Sequence, residues 1–193
     1  FQGDLKSSQQ EAKRAYEIGV ETGDYSAMAI ALYFWVPSDP HALPEGALQI
    51  ECDRVREDPL SSAAALQGRG LELLLREDKP AEAAVMLDRS LDVARQKGLR
   101  NPCIFCGVSW KAMALRIVAE REPDGPAQQA ALTVARKAVR DALRITKKYL
   151  TTRPMALRER GMIAVLLGKE DEARQFFDQS LASANRQEAV WEH

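Results

Sequence analysis

The stretch PMALRERGMIAVLLGKEDEARQFFDQSLASA, residues 154–184, decides the fold. Two apolar-periodic segments flank a short polar break, Gly168-Lys169-Glu170-Asp171. Gly161 sits in the middle of the first segment, and Ala173 and Ser180 in the second. Small residues at these places let two helix backbones approach closely, and Phe176 and Phe177 fill the space beside them. Such a helical hairpin cannot bury its apolar face alone, so it needs neighbours of the same kind.

Working outward, the same order of small and large residues recurs. Ala83-Leu87-Ser90-Leu91 matches Ala173-Phe177-Ser180-Leu181, and Ala135-Val139-Ala142-Leu143 and Ala12-Tyr16-Gly19-Val20 fit as well. Ala47 belongs with them by position, although Glu51 and Arg54 match poorly. Breaks between the repeats are marked by chemistry. Gly23 and Gly98 supply left-handed stops, and Asp24 and either Ser7 or Ser8 supply caps. Asp58-Pro59 and Asn101-Pro102 pair a cap with a helix-starting proline. Pro37, Pro40 and Pro44 enforce a loop, as does Glu122-Pro123-Asp124-Gly125-Pro126. The reading is nine helices, over about 7–22, 25–36, 45–57, 59–76, 81–97, 102–121, 127–150, 152–167 and 170–184. The helix 25–36 is apolar all round and must be covered on most sides.

Composition agrees. The chain has 193 residues, 46% hydrophobic, 28% charged and 6% aromatic, with few β-branched runs, which favours helices. The net charge of -1 hides an asymmetry: residues 1–100 carry 12 basic and 17 acidic side chains, and residues 101–193 carry 15 and 11. That imbalance is too mild to declare a nucleic-acid or membrane binder. No apolar run is read as reaching membrane-spanning length, and no secretory signal is visible. Three cysteines suit a reducing cytoplasm better than a disulfide framework. Phe1-Gln2-Gly3 reads as a tag remnant, leaving 4–193 as a single repeat domain. Trp191-Glu192-His193 reads as the start of another helix, hence a fragment of a longer protein.

In Gly161, Gly168, Ala173, Phe177, Ser180 and Leu181 the last hairpin resembles the tetratricopeptide repeat family. Arg160 departs from the pattern, where an apolar residue is preferred, and in middle units Leu71 and Ala114 stand where the family likes glycine or alanine. Leu71 is the worse misfit and is expected to loosen its hairpin. Ala83 to Ala135 exceeds the family's unit of ~34 residues, so one unit carries an enlarged loop. The segments 15–25 and 153–161 further resemble the helical-repeat region of large bacterial signalling ATPases. The resemblance implies an all-α, right-handed superhelix of antiparallel helix pairs. It implies a protein- or peptide-binding scaffold or regulatory segment of a multidomain signalling or transcription-regulating protein. The other domains of the same protein are candidate partners, and apolar end faces leave self-association open.

In that frame Tyr25, Met28, Leu32 and Trp35 line an inner groove, with Arg76, Lys111 and Arg158 aimed at its concave side. Cations spaced along a groove grip carboxylates, although apolar stripes more often form core. The alternative is a small-molecule effector pocket around Tyr25, Trp35 and Trp110. Cys103-Ile104-Phe105-Cys106 is a lone CxxC. Without four ligands it makes no zinc site, and its plain reading is two small residues in a first helical turn, where thiols are sometimes acidic. Only Cys52, His41 and His193 could add ligands. His41 in its loop and Glu170-Asp171-Glu172 at a helix start are explained by solvation and by the helix dipole. Arg136, Arg140, Arg144 and Lys148 form an i, i+4 ladder with Lys137 and Lys147 beside it; such a stripe suits phosphates, a nucleic acid among them, or an acidic partner, and its plain reading is the solvated outer face of a long helix. Lacking interleaved aromatics, it disfavours single-strand nucleic acid. No phosphate loop, dinucleotide fingerprint, HExxH or GxSxG occurs. The expectation is therefore no enzyme, no cofactor, no metal and no membrane.

Overall fold

A computed structural model describes residues 4–54 and 57–187. The stretches read as a tag remnant, Phe1-Gln2-Gly3, and as a helix start, Trp191-Glu192-His193, lie outside these residues. Among the described residues every regular element is helical. They are α1 (Leu5–Thr22), α2 (Tyr25–Trp35), α3 (Ala47–Asp53), α4 (Pro59–Leu75), α5 (Pro80–Gln96), α6 (Pro102–Phe105), α7 (Gly107–Arg121), α8 (Pro126–Ile145), α9 (Arg153–Leu166) and α10 (Glu170–Arg186). Short 3₁₀ turns stand at Pro40–Ala42 and Leu150–Thr152. The expected helix over 102–121 is broken after Phe105, which turns nine helices into ten segments.

The boundaries follow from the chain's punctuation. Asp4, not Ser7 or Ser8, caps α1 and accepts from Ser7 N at 3.0 Å. Asp24 and Asp58 cap α2 and α4 through two backbone N–H groups each. Gly23, Gly98 and Gly168 stop helices with φ of 68°, 64° and 68°. At the α4–α5 corner the left-handed residue is Asp78, φ 57°. Thr152 stands at the start of α9 but makes no side-chain cap bond.

Contacts gather the chain into two compact units, Asp4–Gly107 and 108 onward. In the first, α1 and α2 run antiparallel. A Cβ at Gly19 would sit 2.8 Å from Met28 Cγ, and the Tyr16 and Trp35 rings meet edge-on at 6.3 Å. Next, α2 and α4 run parallel in fixed register. Ser26 Oγ meets Ser61 Oγ at 3.3 Å, 35 residues on. A Cβ at Gly68 would lie 3.3 Å from Tyr33 Cα, again 35 residues apart. The α4–α5 hairpin is antiparallel. Ser90 Oγ donates to Ala63 O at 2.7 Å, and a Cβ at Gly70 would meet Leu87 Cγ at 2.8 Å. Gly70, not Leu71, is therefore the close-approach residue. Leu71 is fully buried core, and the supposed misfit is a register error of one residue. Each fully buried leucine here (Leu32, Leu48, Leu71, Leu87, Leu91) contributes about 1.5–3 kcal/mol of transfer free energy. The four-residue α6 is tied down by Tyr33 Oη and Gln67 Nε2, which both donate to Cys103 O, at 3.0 and 3.1 Å.

The second unit repeats the scheme. In the antiparallel α9–α10 hairpin Ser180 Oγ donates to Pro154 O at 2.7 Å, and a Cβ at Gly161 would lie 2.6 Å from Phe177 Cε1. Arg160, odd by the family pattern, ties the hairpin together. It pairs with Glu172 at 2.7 Å and stacks over Phe176 at 5.2 Å. Parallel α7 and α9 keep one register: Ser109 Oγ with Thr152 Oγ1 at 3.1 Å and Arg116 Nε with Glu159 Oε2 at 2.7 Å, both 43 residues apart. The longer repeat accommodates the 20-residue α8 and the 3₁₀ turn before α9. Leu132, Ala135, Val139 and Ala142 form the buried face of α8, which packs on α9.

In all four copies of the small–large pattern the two small positions are buried. The final large position is not: Leu91 is buried, whereas Leu181 and Val20 are 45% and 53% exposed. Contrary to the sequence reading, the stretch Pro102–Arg121 is long and apolar enough to cross a membrane by length and composition, and half of its apolar window is buried inside the protein.

Candidate functional site

The groove residues expected from sequence do not behave alike. On α2, Met28, Leu32 and Trp35 are 8%, 0% and 4% exposed. They are core, because α1, α3 and α4 all pack on α2 and cover most of this apolar helix. Tyr25, at its first turn, is 49% exposed. The Arg54 guanidinium lies 3.8 Å over its ring, and Arg54 Nε reaches Oε1 of the buried Glu51 at 3.3 Å. Glu51 thus holds a flat cation on an aromatic face, worth about 0.5–1 kcal/mol at a site this exposed. The remaining guanidinium donors and the phenol suit a carboxylate or a peptide carbonyl. Arg54 was read from sequence only as a repeat misfit; the Glu51-x-x-Arg54 spacing was the available signal.

Arg76 is not a free groove cation. Its Nη1 lies 3.3 Å from Oε1 of Glu72, which is 3% exposed and is shared with Arg69 at 2.7 Å. Arg69 also pairs closely with Glu77, which takes Lys79 at 2.8 Å. Hydrogen bonds from Arg69 and then Lys79 hold the Glu77 carboxyl below its usual range. The cluster fastens the α4–α5 corner.

In the second unit Trp110 and Lys111 are half-buried on α7. The Arg158 side chain is 40% exposed, with Nε 3.5 Å from Glu159 Oε1. Glu159 is 1% exposed and also receives Arg116, so Arg158 is the outward member of an Arg–Glu–Arg cluster. The aromatic residues expected around an effector pocket differ in exposure. Trp35 packs on Tyr16 in the core, and its Nε1 has no hydrogen-bond partner among the described residues.

Burial sets the state of two thiols. Burial pushes Cys52 up to about 12, and its Sγ donates to Ala65 O at 3.4 Å. Burial raises Cys103 too, against the expectation of an acidic first-turn thiol, because desolvation outweighs one short turn of helix. Cys106 is buried, with Sγ 3.2 Å from Pro102 O. Among the described residues no three His, Cys, Asp or Glu side chains gather as metal ligands. His41 is exposed beside Asp39, and Glu172 is used by Arg160.

The cation stripe is the most one-sided surface. Arg136, Lys137, Arg140, Arg144, Lys147 and Lys148 are all exposed. At 100° per residue Arg136, Lys137, Arg140 and Arg144 fall within an arc of about 100° on α8, turned away from the buried Ala135–Val139–Ala142 face, and Lys147 and Lys148 follow in the turn after Ile145. Asp141 is the sole carboxylate between Gln128 and Tyr149, and it meets Arg144 at 3.1 Å. Arg136, Lys137, Arg140 and Lys147 have no carboxylate partner among the described residues. Arg136/Arg140 and Arg140/Arg144 are i, i+4 like-charge pairs, each costing about 0.2–0.5 kcal/mol. By contrast α5 intersperses Glu82, Asp88 and Asp92 with Arg89 and Arg95. Comparison with protein-family models, with curated proteins and with solved structures finds no match to this chain.

Proposed function

We propose that this chain is a tetratricopeptide-like helical-repeat interaction module, the scaffolding or regulatory segment of a multidomain signalling or transcription-regulating protein. In such arrays antiparallel helix pairs stack into a right-handed superhelix. The first helices of successive pairs present a fixed surface to a protein or peptide. One observation carries the reading: first helices lie parallel at a constant offset, 35 residues for α2/α4 and 43 for α7/α9. Hairpins nested side by side bring each first helix directly against the next one in parallel, whereas in an up-and-down four-helix bundle the parallel helices lie diagonally and the helices in contact run antiparallel. The Gly70/Ser90 and Gly161/Ser180 pairs supply the same nesting contact twice. The residues best suited to contact are the exposed Tyr25 with the part-exposed Arg54 in the first unit and the part-exposed Arg158 in the second.

The test is selection of binding peptides from a displayed random library. Enriched peptides should bind at micromolar concentration and weaken at least tenfold with Tyr25→Ala/Arg54→Ala or with Arg158→Ala. No enrichment, or binding indifferent to both variants, would discard the proposal.

A further inference from the structure

Resting on the interaction-module reading, we infer that the outward face of α8 docks an acidic polypeptide segment. Arg136, Lys137, Arg140 and Arg144 share this face with one carboxylate at its edge, Lys147 and Lys148 carry the positive charge on into the turn after Ile145, and Arg136, Lys137, Arg140 and Lys147 have no acidic partner among the described residues. Self-repulsion along α8 stabilises nothing in the fold, since the buried side of the helix is complete without it. An incoming anion removes that repulsion.

The partner's chemistry follows from spacing and reach. The rungs rise about 6 Å per four residues, and the ladder from Arg136 to Arg144 spans about 12 Å along α8. A helix with Glu or Asp at i, i+4 has the same pitch and meets each rung. No large apolar side chain interrupts the stripe, so the contact is electrostatic, fast and salt-sensitive. A nucleic-acid duplex fits less well. It extends many screening lengths of about 8 Å beyond the stripe and meets a molecule whose net charge is -1. No aromatic residue lies between Pro126 and Lys148 to stack on bases.

The experiment uses the full chain and a fluorescein-labelled 20-residue helical peptide bearing Glu at every i, i+4 position, read by anisotropy. A duplex DNA of similar length forms a second arm. The peptide is expected to bind at 50 mM NaCl and to weaken at least tenfold at 300 mM. Arg136→Glu/Arg140→Glu/Arg144→Glu should weaken it at least tenfold with helical circular dichroism unchanged. Arg14→Glu/Lys97→Glu, removing exposed cations elsewhere, should stay within twofold. No peptide binding at 50 mM NaCl overturns the inference, as does equal binding by the triple variant or tighter binding of the duplex. Tyr25→Ala and Arg158→Ala should leave this affinity unchanged, which separates failure here from failure of the groove reading.

Discussion

Gly70→Ala probes the nesting of α4 on α5. The added methyl would sit 2.8 Å from Leu87 Cγ, 3.1 Å from Leu87 Cδ2 and 3.2 Å from the Ala83 carbonyl oxygen. Leu87 is fully buried and cannot swing into solvent, and the Ala83 oxygen is backbone, so the helices themselves must part. Overpacking of this kind costs up to about 3 kcal/mol. Replacing a mid-helix glycine by alanine returns about 1 kcal/mol, leaving a net loss of about 2 kcal/mol. At about 2–4 °C per kcal/mol for a chain of this size, Tm should fall by about 4–8 °C. Gly161→Ala is the internal comparison. Its methyl would sit even closer, 2.6 Å from Phe177 Cε1, but the obstacle is a half-exposed side chain that can rotate away. There the clash falls to the low end of the range, about 1 kcal/mol, and cancels against helix propensity. Urea titrations followed by circular dichroism read both. Adding Leu87→Ala to Gly70→Ala should show a favourable coupling of at least about 1 kcal/mol. A Gly70→Ala protein as stable as wild type, or one less affected than Gly161→Ala, would refute the close-packed hairpin.

Ser90→Ala and Ser180→Ala remove equivalent 2.7 Å bonds to Ala63 O and Pro154 O; each should cost about 0.5–1.5 kcal/mol in urea titration, and by similar amounts. Arg116→Met leaves the 1% exposed Glu159 with only Arg158 at 3.5 Å; a loss of about 3 kcal/mol is expected, most of it recovered in Arg116→Met/Glu159→Leu. Because Arg69 and Lys79 hold Glu77 below its ordinary 4.5, the unfolded chain takes up that proton first on acidification. Its contribution is full above pH 4.5, is lost as pH falls below it, and should vanish from the acid limb in Glu77→Gln. Cys52, raised from 9.0 to about 12, should carry about 1000-fold less thiolate at pH 8 than an ordinary thiol and react correspondingly slowly with an aromatic disulfide reagent.

The sequence made the hairpins legible wherever a small residue had no other reason to be there. Gly161, Ala173 and Ser180 announced their contacts. The Pro and Gly punctuation located most helix ends, since both residues act through local backbone geometry alone. Gly70 was legible in kind but not in register, because Leu71 beside it also fitted a helical face. Inside and outside of α2 were not separable: a helix with no polar side carries no mark of which residues face a groove, and only its neighbours bury Met28, Leu32 and Trp35. Arg116 and Glu159 lie 43 residues apart and give no local signal. Arg54 was discounted as a mismatch, although its charge is what sets it over Tyr25.

Pro59, Pro80, Pro102, Pro126 and Pro154 stand at or beside the first residue of five α-helices. Each narrows the wandering of the denatured chain by about 0.4–1 kcal/mol, so roughly 2–5 kcal/mol of resistance to unfolding resides in no visible contact. Replacing the exposed Pro102 and Pro126 by alanine would leave the packed surfaces intact and still soften the protein, which makes the joints, as much as the helices, keepers of the fold.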